Sequence, residues 1–286
     1  MASFYKFGGL TVKTDAPFHK DGLFHLSFYE TEETMQPDIT FTVHTNCQNI
    51  PQPEGVMVAE VNKRRWYKTQ KGYAFIDKIE EFSDCILNLM VADATFSHIE
   101  LFLCPSAFLD IKVDQRPYHL TQEILRYALL FHDGTIIHAS SLAYDNKGLM
   151  FSAPSGTGKS THTELWTKHV PGTVIVNDDM PIVRIENNVP YLYGAPWSGK
   201  NSIHKNLRVP LKGLVFIQRD VTCSLSPVEP LDAVWELFEA IRKPVVPELA
   251  EKNIDIIARI VELLPAYRLR CNISEEAVKT SMQAII

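Results

Sequence analysis

The chain has 286 residues, 45% of them apolar and 22% charged, with a formal net charge of −6. That length and balance fit one large or two modest domains with real hydrophobic cores, and argue against a disordered or fibrous chain. With no long basic run and no uninterrupted apolar stretch of bilayer-spanning length, neither nucleic acid nor membrane is an expected partner.

In chain order, six short apolar or alternating runs predict strands at 24–29, 38–44, 55–61, 72–76, 85–91 and 99–103. Charged, Asn- and Pro-containing turns separate them, as in an antiparallel β-rich unit. Residues 1–115 are therefore expected to form a β-rich N-terminal recognition or scaffold domain. Lys63-Arg64-Arg65 with Trp66 and Tyr67 is its one basic, aromatic patch, and it reads as a solvated sheet edge. A helix is predicted over 120–131 from its apolar spacing. A strand at 135–142, a turn at 145–148 and a strand at 149–152 follow, then a helix at 161–168 and a strand at 173–177. Further strands are expected at 182–185, 191–194, 213–218 and 267–271, with helices at 232–242, 247–264 and from Glu275 onward. Residues 116–286 thus read as an α/β catalytic domain, and the whole chain as α/β (α+β). The five cysteines are widely spaced without metal-ligand spacing, and the first ten residues lack a secretory pattern. The expected setting is a cytoplasm with reduced thiols.

The stretch Ala153-Pro154-Ser155-Gly156-Thr157-Gly158-Lys159-Ser160 has the composition of a phosphate-binding loop, entered by a strand and left by a helix. Backbone N–H groups of such a loop and of the first helical turn point at phosphate oxygens. Gly156 and Gly158 let the chain fold back, and Lys159 brings a positive charge over the outer phosphates. The Ser160 hydroxyl is placed to ligate Mg²⁺, and Ser155 through Thr161 form the nucleotide-binding stretch. Ala153 stands where the strict pattern has Gly.

Asn177-Asp178-Asp179 follows a predicted strand, where an α/β nucleotide enzyme needs carboxylates. One carboxylate can hold Mg²⁺ and the other accept a proton from an attacking hydroxyl. The segment from Gly194 to Asn201 is rich in turn formers and is expected to face the site. Lys200 or Arg208 can neutralise charge on a transferring phosphoryl group, and Trp197 can stack on a base or pack locally. His138, taken alone, reads as an ordinary strand histidine.

The run His138-Ala139-Ser140-Ser141, the turn, the strand 149–152, the loop through Thr161 and the Asp178-Asp179 pair resemble the core of ATP-dependent phosphoenolpyruvate carboxykinases. The HPr kinase/phosphorylases share that subfold, and the length and β-rich first domain look more like theirs. The resemblance spans about residues 134–220. It implies a P-loop catalytic domain of this type, with ATP held by 155–161 and Lys159 at the β/γ bridge. It further implies a divalent metal held by Ser160 and one of Asp178 and Asp179, with the other as base. By the same resemblance His138 is a ligand to a second divalent metal such as Mn²⁺, or a substrate contact, and the chain self-associates. The carboxykinase arginines for oxaloacetate are not recognisable, so decarboxylation is not expected.

The expected function is an Mg²⁺- and ATP-dependent kinase. Catalysis is assigned to Asp178, Asp179, Lys159 and Lys200. The acceptor is a hydroxyl, either a serine of a small protein or peptide or a small-molecule alcohol. The alternative is a nucleotide-gated regulatory module that binds ATP without phosphoryl transfer.

Overall fold

The computed structural model describes residues 2–16, 24–34, 36–78, 86–104, 116–199 and 202–285. It is a mixed α/β chain in two compact units, one of residues 1–131 with 244–250 and the other of residues 132–243 with 251–286.

In the first unit, β1 (Ser3–Phe7) and β2 (Leu10–Thr14) form a hairpin through Gly8 and Gly9, both at positive φ. Then come β3 (Ile39–His44), β4 (Val56–Val61), β5 (Arg64–Lys68), β6 (Gly72–Lys78), β7 (Ile86–Asp93) and β8 (His98–Leu103), followed by α1 (Arg116–Leu129). The sheet order is β1-β2-β3-β8-β7-β6-β5-β4. It is mixed rather than antiparallel throughout, because β3 runs parallel to both β2 and β8. Residues 24–29 form a 3₁₀ turn and not the expected strand, and the basic patch at 64–68 is itself a strand with Trp66 buried.

The unit boundary falls after Phe131 and not at the expected residue 115. The reason is where α1 buries its apolar face. Ile124 and Leu125 line a small apolar pocket together with Val12, Ile39, Phe41 and Ile99, and the Tyr127 ring lies 4.9 Å from Trp66 and 5.5 Å from Phe96. Arg64 of β5 adds a polar tie, pairing with Asp77 at 2.7 Å and with Glu123 of α1 at 3.3 Å.

The second unit opens with β9 (Gly134–Ile136), β10 (Ala139–Tyr144), β11 (Lys147–Ser152), α2 (Lys159–His169) and β12 (Val174–Asn177). It continues with β13 (Ile182–Glu186), β14 (Val189–Tyr193), β15 (Arg208–Arg219), β16 (Ser224–Pro227) and α3 (Pro230–Glu239). Helix α4 (Pro247–Leu263), which belongs to this unit from Glu251 onward, β17 (Ala266–Cys271) and α5 (Glu275–Met282) follow. Asp145 and Asn146, both at positive φ, turn β10 into β11, as two-residue hairpins require. The expected strand over 135–142 is broken at His138, where the chain leaves its pairing with β13 and joins β11.

Strands β11, β15 and β17 are parallel, and β12 runs the same way because β10 lies antiparallel between β12 and β11. Their carboxyl ends therefore share one edge, the usual place for a ligand in such sheets. Leu149, Phe151, Val215, Ile217 and Leu269 bury one face under Trp166 of α2 and Ala277 and Val278 of α5. Ser281 of α5 bonds both the Trp166 indole N–H at 2.8 Å and His162 Nε2 at 2.9 Å.

His162 is buried, and burial presses its pKa from the ordinary 6.5 to about 4. Between those values the unfolded chain takes up a proton that the native state refuses, so its contribution is full above pH 6.5 and lost as pH falls toward 4. The loss is expected to be on the order of 3 kcal/mol, read from urea midpoints across that range. His162→Gln should flatten the slope, and an unchanged slope would refute the assignment. Among the described residues, no helix is long and apolar enough to cross a membrane.

Candidate functional site

The glycine-rich loop leaves the carboxyl end of β11 and enters α2 through Gly158. Gly156 has φ 77° and Gly158 φ 118°, conformations that side chains with a Cβ rarely adopt. A Cβ added at either would meet nothing within 4 Å, so backbone conformation and not crowding demands glycine, and the space over the loop is open. No side chain caps the first turn of α2, and that turn holds no acidic residue. Its N–H groups and the positive end of the helix dipole are thus offered to an anion.

Lys159 is buried, its ammonium donating to the Ala153 carbonyl at 2.9 Å. Burial lowers its pKa, and the negative charge of Asp179 opposes that shift. Arg219, ending β15, donates to the carbonyls of Thr157 (3.0 Å) and Gly156. These bonds tie the end of β15 to the loop backbone. Nothing in the sequence marks Arg219, because only the parallel pairing of β11 with β15 brings it to the loop.

The acid pair lies at the carboxyl end of β12. Ser160 Oγ approaches the Asp178 carbonyl oxygen at 3.5 Å, so the loop serine and the acids share one corner. Asp178 is buried and accepts from the Gly199 N–H at 2.9 Å. Burial raises its pKa, the Gly199 bond counteracts this, and the charge of Asp179 raises it again. Asp179 is half-buried, with Oδ1 3.3 Å from His138 Nε2. Main-chain bonds hold these two together: Ala139 N donates to Asp179 O at 3.0 Å and Ile137 N to Pro181 O at 3.2 Å. His138 N donates to Ala240 O at 2.7 Å, so the end of α3 borders the site.

Asn177, fully buried, organises this corner. Its Oδ1 accepts from Asp179 N (2.9 Å) and Met180 N (2.6 Å), and its Nδ2 donates to the carbonyls of Ala195 and Trp197 at 2.9 Å each. Every hydrogen-bonding position of the amide is used, joining the acid turn to the loop whose Gly199 holds Asp178. The sequence signal was present, an Asn directly before paired acids, but its tertiary partners were not legible. Asn177→Ala would strand two N–H groups and two carbonyls. It is expected to cost about 3 kcal/mol in denaturant unfolding, with Asn177→Asp also destabilised because it loses both donations.

The structure brings Ser155, Gly156, Thr157, Gly158, Lys159, Ser160, Thr161, Asp178, Asp179 and His138 to one sheet edge. Lys200 lies outside the described residues. Trp197 is packed and buried, and Arg208 is engaged by Glu186 at 2.8 Å and by the Tyr191 ring at 3.5 Å, so both serve the fold. Among the described residues, no three His, Cys, Asp or Glu side chains converge to hold a metal. His138 meets Asp179 but does not join Asp178 in a ligand set. A hydroxyl and one or two carboxylates are nonetheless what Mg²⁺ takes from a protein when phosphates and water supply the rest, and Ser160 with the acid pair fits that pattern. Beside the loop lies a cavity of about 330 Å³, lined among others by Thr157, Thr161, Leu165, Arg219 and Ile273.

No family model matches the chain, and no curated protein matches it in sequence. A solved structure of the HPr(Ser) kinase/phosphatase from Coxiella burnetii is similar at 14% identity, over 52% of this chain and 92% of that one, with a TM-score of 0.30. A score that low decides neither fold nor activity. The site's own geometry carries the functional reading.

Proposed function

We propose that the chain is an Mg²⁺- and ATP-dependent kinase of the HPr kinase/carboxykinase type, moving the γ-phosphoryl group to a hydroxyl of a serine side chain or small alcohol. The observation that carries this reading is a buried lysine beneath an open two-glycine cradle, with paired acids at the same corner. Burial of the ammonium, bonded to a carbonyl, is only partly offset by Asp179, and a further anion would complete the compensation. A triphosphate supplies that anion, and the loop N–H groups supply the remaining contacts.

Within this reading, Lys159 and the loop hold the outer phosphates, and Arg219 keeps the loop in its receptive shape. Ser160 and Asp178 would hold Mg²⁺, which when bound neutralises charge on the phosphate oxygens. Asp179 takes the proton of the acceptor hydroxyl as its oxygen bonds to phosphorus and the bond to the ADP oxygen breaks. His138 orients the Asp179 carboxylate. The 330 Å³ cavity beside Thr161 takes the nucleoside.

The test is Mg²⁺-dependent ADP release with serine peptides and small polyols offered as acceptors. Acceptor-dependent release supports the kinase. Saturable ATP binding without turnover on any acceptor would instead indicate a nucleotide-gated module, and acceptor-independent release a hydrolase.

A further inference from the structure

Strand β16 pairs antiparallel with β17 in the register Ser224↔Arg270 and Leu225↔Leu269. Cys223 lies just before the strand, and extending the register by one step would set it opposite Cys271. Side chains alternate along strands, so both thiols lie on the face of Leu225 and Leu269, within one apolar cluster. Opposed residues of such a pair carry Cβ atoms about 4.5–5.5 Å apart, against the roughly 3.5–4.5 Å of a disulfide, so a small shift closes the gap. Strand β16 has only four residues, and Val221 just before it is 86% exposed. Both cysteines are free thiols, Cys271 buried and Cys223 half-buried. Cys223 Sγ already reaches the residues after Cys271, at 3.6 Å from Asn272 Oδ1 and 3.9 Å from Ser274 Oγ. Burial pushes the Cys271 thiol up to about 11, and the nearby Cys223 adds to the rise.

We propose that Cys223 and Cys271 form a reversible dithiol–disulfide pair that takes a low-molecular-weight disulfide as oxidant and braces the wall of the loop cavity. Cys271 lines that cavity, and its neighbour across β15 is Arg219, the residue that holds the loop. The more exposed Cys223 thiolate attacks the disulfide R–S–S–R, forming Cys223–S–S–R and releasing RS⁻. Cys271 then loses its proton and displaces the second thiol, so two protein thiols are oxidised and one disulfide is reduced. The inference goes beyond the kinase reading and holds whatever the cavity binds.

The native full chain is titrated with oxidised glutathione and analysed by intact mass and non-reducing peptide mapping. The expected result is a loss of about 2 Da, a linked pair of peptides carrying Cys223 and Cys271, and reversal by dithiothreitol. Cys271→Ser should stop at a glutathione adduct on Cys223, and Cys223→Ser should leave Cys271 unmodified. A persistent adduct on the wild type without the link, or a link through Cys47, Cys85 or Cys104, would overturn the proposal.

Discussion

Lys159→Met is expected to reduce acceptor-dependent ADP release by about two to three orders of magnitude, the effect of removing one preorganised positive contact from a transferring group. The same change is expected to leave the nucleotide-free fold at least as stable as the wild type. Lys159 is buried, bonded to the Ala153 carbonyl, and its pKa is lowered chiefly by burial. Methionine matches its length without a charge to dehydrate. Because the folded pKa lies below the ordinary 10.5, the unfolded chain holds more protons as pH approaches 10.5. The wild type therefore gains stability with rising pH through that window, and the variant loses this gain. Urea unfolding at neutral and alkaline pH measures the second expectation, and steady-state kinetics the first. A variant that unfolds readily yet keeps its turnover would assign Lys159 to the fold and not to the chemistry.

Asp179→Asn is expected to lower turnover by about two to four orders of magnitude while changing ATP affinity only a few-fold. Its backbone N–H is held by Asn177 and its carbonyl by Ala139, so the substitution removes the proton acceptor without releasing the turn. Asp178→Asn should behave differently. Asp178 is buried against Gly199 N, and it should show its loss as a raised Mg²⁺ requirement. If both variants raised the Mg²⁺ requirement equally and left turnover at saturation unchanged, Asp179 would be a second metal ligand and not the base.

The glycine-rich loop was legible because its physics is local. Two residues at positive φ, a lysine and a hydroxyl at fixed spacing specify a strand-to-helix turn without outside help. The acid pair was legible because it ends a strand. The hairpin at Asp145-Asn146 was legible from its turn chemistry. What escaped the sequence depends on contacts distant along the chain. Arg219 reaches the loop only through parallel pairing, and Asn177 takes its partners from 195–197. The β1–β2 hairpin went unread although Gly8 and Gly9 mark its turn. The run 24–29 has a strand's composition but adopts a 3₁₀ turn, with Tyr29 fully buried at its end. Helix α1 has the right period, yet period alone does not say which sheet receives its apolar face.

In the proposed function, residues 153–160 hold a polyphosphate under the charge of Lys159, with a divalent cation between it and the acid pair. Calorimetric titration of the full chain with ATP, with and without Mg²⁺, tests it most directly. Saturable one-to-one binding is expected, strengthened by Mg²⁺, not reproduced by AMP and lost in Lys159→Met. Binding that is absent, or that survives Lys159→Met and ignores Mg²⁺, would contradict it.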